Sequence, residues 1–79
     1  MLISVNNCII DPSTKTLIAG AANSVIPNDG SVTAIGATAF YSNKALTEIN
    51  IPSSITYFGN ECFVDCTNLK SVYIEDINK

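Results

Sequence analysis

Apolar residues in this chain fall into two segments that repeat each other. Val32, Ile35, Gly36, Ala39 and Phe40 stand in the same order as Ile55, Phe58, Gly59, Cys62 and Phe63, each pair 23 positions apart. The match runs on from Leu46, Ile49 and Ile51 to Leu69, Val72 and Ile74. A fixed period in this range marks a solenoid. Each repeat is one coil, and neighbouring coils bury one another's apolar side.

Within a coil the pattern predicts a strand, a turn and a short connecting segment. Ile49 and Ile51 are two residues apart, so both point to one face of a strand. Pro52 ends that strand, because proline cannot donate to a central ladder. Ser24-Val25-Ile26-Pro27 repeats the motif of Ile49-Asn50-Ile51-Pro52, and Ile3 and Val5 alternate in the same way. The expectation is one parallel ladder of four rungs, near residues 2–5, 24–27, 48–51 and 71–74. Gly36 and Gly59 recur at one phase, which predicts a tight corner needing a positive φ. Ala39-Phe40 and Cys62-Phe63 then open a segment too short to decide between a turn of helix and an irregular turn, with Asn60 placed to cap a helix.

The repeat lapses between the first two rungs. Cys8-Ile9-Ile10-Asp11 and Thr16-Leu17-Ile18-Ala19 flank a turn with proline and polar residues, which predicts a β-hairpin ended by Gly20. The fold class expected is α/β: a solenoid with about 23 residues per coil. It combines a parallel strand ladder, short helical or irregular segments and an N-terminal β-hairpin. It forms a single domain over 1–79, divided into a partial coil with the hairpin (1–31), a full repeat (32–54) and a second full repeat (55–77).

These residues resemble the BspA-like (Treponema-type) leucine-rich repeat family, whose repeat runs I-P-x-x-V-x-x-I-G-x-x-A-F-x-x-C-x-x-L-x-x-I-x-I. Ile51-Pro52, Ile55, Phe58-Gly59, Cys62-Phe63, Cys66, Leu69, Val72 and Ile74 fill the pattern. Val32, Ile35-Gly36, Ala39-Phe40, Leu46, Ile49 and Ile51 fill it again. The stretch from Asn7 to Gly20 resembles an irregular unit common in that family. The resemblance implies adhesion or recognition of a host or extracellular protein, in an exported or surface-attached setting. This chain is shorter than such proteins usually are, which suits either a slice of a longer array or a unit that self-associates through its ends.

Composition narrows the chemistry. An apolar fraction of 47% and a charged fraction of 14% suit a packed domain. The net charge of −3 and four scattered basic residues give no footprint for nucleic acid. No apolar run reaches the length of a membrane span, and Met1-Leu2-Ile3-Ser4-Val5 lacks the features of a signal peptide. That beginning fits an intracellular protein or a piece of a longer exported one. With no histidine, the Ser-His-Asp and Cys-His schemes have no base. No phosphate-binding glycine loop is present. Three cysteines, Cys8, Cys62 and Cys66, make neither a disulfide framework nor a CxxC metal motif. They are read as structural thiols, with reactivity at Cys8 the one opening for enzymology. No cofactor or metal is expected, and the acidic residues read as a solvated surface.

The informative surface is the outward face of the ladder. If Ile49, Ile51, Val72 and Ile74 face the core, then Glu48, Asn50, Ser71 and Tyr73 face solvent. Val25 falls in the same column one rung earlier. Leucine-rich-repeat solenoids commonly bind partners on this face, and Tyr73 is the best anchor because tyrosine is enriched at binding hot spots. The partner-binding expectation is therefore Val25, Glu48, Asn50, Ser71 and Tyr73. A homo-oligomer joined at the solenoid ends is the alternative.

Overall fold

The computed structural model describes residues 1–75. The chain first forms β1 (Ile3–Val5), β2 (Cys8–Asp11) and β3 (Thr16–Gly20), paired antiparallel in sequence order. Asn6 and Asn7 join β1 to β2 with φ of 52° and 64°. Two successive positive φ values make the tight hairpin turn whose twist matches the flanking strands, and asparagine tolerates them. Asp11 shapes the next turn. Its carboxylate accepts the Ser13 N–H at 3.0 Å and the Ser13 hydroxyl at 2.7 Å, and these bonds hold its pKa below the ordinary value.

The third strand, β3, then changes partner type. It pairs in parallel with β4 (Ala34–Ile35), which pairs in parallel with β6 (Tyr57–Phe58). A second parallel sheet joins β5 (Glu48–Ile51) to β7 (Ser71–Ile74). Ala34 faces Tyr57, and Ile49 faces Val72, so in both sheets the partners lie 23 residues apart. A third line of backbone bonds ties the intervening turns. Thr38 N–H donates to Asn60 O, Phe40 N–H to Cys62 O and Ser42 N–H to Val64 O, at 3.1, 2.9 and 2.8 Å. The core between these lines holds Leu17, Ile26, Val32, Ile35, Phe40, Leu46, Ile49 and Ile51. Phe40 and Phe63 stack with ring centroids 5.3 Å apart.

Three expectations need correction. The four-rung ladder is two rungs, β5 and β7. Residues 3–5 are taken by the Asn6-Asn7 turn into an antiparallel hairpin, and residues 24–27 form no strand. Val25 gives its N–H to Asn6 O at 3.1 Å and Pro27 has none to give, so this segment is anchored to the hairpin instead. The α component is also missing: no helix occurs among the described residues, and the segments after Gly36 and Gly59 are turns. Asn60 therefore caps no helix; its carbonyl receives Thr38 N–H.

The glycine corner is the third correction. Neither Gly36 nor Gly59 has a positive φ. The left-handed residues stand further along each repeat, at Thr38 and Glu61 (60° each) and at Ser42 and Asp65 (57° and 64°). Gly36 and Gly59 instead extend β4 and β6, where the backbones of successive repeats come close. The β3–β4–β6 ladder was not anticipated from the sequence, because two-residue strands are too short to show alternation.

Candidate functional site

In β5 burial alternates with the side-chain period of a strand: Ile49 and Ile51 are buried, Glu48 and Asn50 exposed. The register sets Glu48 beside Ser71 and Asn50 beside Tyr73 on the outer face. Neighbouring strands lie about 4.8 Å apart, so each pair is a contact pair. Tyr73 is half-exposed, its ring standing clear of the core. Ser71 is partly buried.

Val25 stands apart from this column. It is exposed and belongs to no strand, yet it lines an open groove of about 410 Å³ together with Asn50 and Tyr73. A second groove of about 260 Å³ runs between residues 22–26 and 47–50, with Glu48 on its wall. The structure thus brings Val25, Asn50 and Tyr73 around one depression and Glu48 beside it. Ser71 lines neither groove.

Sequence reasoning missed Glu75, read there as a solvated acid. Its carboxylate accepts the Ser53 N–H at 2.9 Å and approaches the Asn28 side-chain amide at 3.5 Å, while its own N–H donates to Ile51 O at 2.9 Å. It clips three parts of the chain together at the rim of the larger groove. An acidic residue just after a strand carries no signal of such a role.

The thiols are free. Cys8 is fully buried, and burial pushes its thiol pKa up, which is the reverse of what activates a nucleophile. Cys62 is buried and shifted the same way by the same cause. Cys66 donates its S–H to Phe40 O at 2.9 Å, across from one repeat to the next. Among the described residues, no group of three or more His, Cys, Asp or Glu side chains is placed to hold a metal ion, and no helix is long and apolar enough to cross a membrane.

Parallel strands paired at the repeat spacing, over a shared column of Ile, Leu and Phe, define a repeat protein. The chain belongs to the BspA-type leucine-rich repeat family. The family model described as BspA type leucine rich repeat region (6 copies) matches residues 19–79. No curated protein and no solved structure matches the chain. Membership in this family suggests a protein-interaction or adhesion-type module, and such repeat families are typically non-enzymatic.

Proposed function

We propose that the chain is a segment of a leucine-rich-repeat solenoid, about 23 residues per coil, that recognises protein through the outer face of the β5–β7 ladder. Asn50 and Tyr73 form the centre of that surface. Glu48 and Ser71 extend it along the strands, and Val25 borders it. The observation that carries the reading is the burial alternation of β5, which commits Ile49 and Ile51 to the core and leaves the Asn50–Tyr73 pair for contact.

The test is binding of the 79-residue chain to a panel of immobilised extracellular-matrix proteins, compared with the Asn50→Ala/Tyr73→Ala variant. Loss of a hot-spot pair costs at least about 2 kcal/mol, or roughly thirty-fold in affinity. The melting temperature should stay within about 4 °C, since surface substitutions lie within about 0.5 kcal/mol. Unchanged binding by the variant defeats the reading.

A second reading, self-assembly, is favoured by one specific observation. Val72, Ile74 and Phe58 are half-exposed or more, while their counterparts Ile49, Ile51 and Ile35 are buried. The apolar side that each earlier repeat hides is open on the last one.

A further inference from the structure

The two grooves meet where the sequence pattern expects a strand that the structure does not form. Residues 24–27 run in the phase of β5, but among the described residues no hydrogen bond joins them to it. Their polar groups are held from the other side. Val25 donates to Asn6 O and its carbonyl accepts the Cys8 S–H at 3.6 Å. The Ser24 hydroxyl donates to Asn7 O and accepts the Ala21 N–H.

On the facing side, β5 turns alternate residues toward β7. The carbonyls of Thr47 and Ile51 accept from Lys70 and Glu75. Successive strand residues direct their backbone groups to opposite edges, so those of Glu48 and Asn50 point away from β7 and into the groove. An edge of this kind is a template for another strand.

The groove also has a chemical character. Val25 and Ile74 supply exposed apolar surface at the larger groove, over the buried Ile26 and Ile51; Glu48 lines the smaller groove and Glu75 the larger. Among the described residues, no lysine or arginine lines either. Resting on the protein-recognition reading above, we propose that this groove takes a short extended basic peptide, added along the free edge of β5. Main-chain bonds to Glu48 and Asn50 fix its register. Alternate side chains turn inward beside Ile26 and Ile51, and a lysine or arginine on the outer face, which Val25 shares, meets Glu48. Strand addition of this kind draws affinity from backbone bonds and specificity from alternate side-chain sites.

The probe is a fluorescent pentapeptide of alternating lysine and valine, titrated by polarisation against the 79-residue chain. Controls are its glutamate–valine counterpart and a version N-methylated on the edge-facing amides. The lysine peptide should bind at least ten-fold tighter than both controls, and Glu48→Lys should weaken it about five-fold, the upper scale of one rim charge pair. Amide hydrogen exchange reads the geometry directly. Saturating peptide should slow exchange at Asn50 at least about ten-fold and leave Ile49 and Ile51, which already face β7, unchanged. Equal binding of the N-methylated peptide, or an unaltered Asn50 amide, overturns the proposal. A matrix protein that is still lost on Asn50→Ala/Tyr73→Ala, but is not displaced by the lysine peptide, overturns this inference alone. Peptide binding together with matrix binding unaffected by that variant overturns the broader reading instead.

Discussion

A β-carbon built on Gly59 would lie 2.7 Å from the Cα of Ala37 and from the carbonyl carbon of Gly36. Both are backbone atoms and neither can swing aside. Gly59 donates its N–H to Ile35 O at 2.7 Å, so the side-chain-free position is what lets two repeats approach to that distance. Gly20 serves the same end differently. A β-carbon there would meet the Phe40 ring, 2.8 Å from Cδ1. Gly59→Ala should therefore destabilise the fold by about 1–3 kcal/mol, the cost of overpacking, as read by chemical denaturation. The cause is contact rather than torsion. Thr38 carries the opposite problem: a β-branched residue at φ 60°, where an L side chain costs roughly 1–2 kcal/mol. Asparagine bears this conformation better. Thr38→Asn should raise stability by up to about 1 kcal/mol, and a lower denaturation midpoint would contradict that. Glycine at a constant phase was legible as a constraint in the sequence. Its kind was not, because a close approach and a left-handed turn both select glycine, and only coordinates tell them apart.

Among the elements, the turn segments hold the repeats together as much as the strands do. β4 and β6 contribute two residues each, yet the turn beyond them adds three inter-repeat backbone bonds, the Cys66–Phe40 contact and the Phe40–Phe63 stack. Phe40 is enclosed by the hairpin on one side and by Phe63 on the other, whereas Phe63 is only partly buried. Phe40→Ala should cost about 3–5 kcal/mol. Phe63→Ala should cost about half as much, since less of its ring leaves water on folding. Equal costs in thermal melts would mean that Phe63 is covered in solution. The alternation of Ile49 and Ile51 made β5 and β7 readable in advance. Val25 and Ile26 carry the same alternation but form no strand. The backbone partners of Val25 come from Asn6 and Cys8, residues of a hairpin whose approach no local pattern encodes. The outer column at Glu48, Asn50, Ser71 and Tyr73 could be named from the sequence for the same reason that β5 and β7 could. The depression around Val25, and the clip made by Glu75, arise from segments far apart in the chain and had no local sign.

At the scale of the molecule the two ends differ. The hairpin buries Cys8, Ile10 and Leu17 on one side and leaves Ile3, Ile9 and Ile18 exposed on the other. At the last repeat, Ile74 is 71% exposed where Ile51, its partner in register, is 3% exposed. Copies that associate through this same exposed surface form a closed two-fold pair rather than a fibre. The self-assembly reading thus predicts a dimer in light scattering at high micromolar concentration, returned to monomer by Ile74→Lys. A clean monomer for the unaltered chain at that concentration would defeat it.

The sequence by itself marked the 23-residue spacing at which β5 pairs with β7 and β4 with β6, the buried apolar residues from Val32 to Ile51 and the face of β5 turned to solvent. Those follow from periodicity, which is a local property of the chain. Tertiary structure alone decided which strands pair, that glycine serves proximity, and that the second expected rung leaves an open groove. Backbone hydrogen-bonding groups are the same at every residue. Which of them meet is therefore set by the approach of distant segments and not by the identity of the side chains between them.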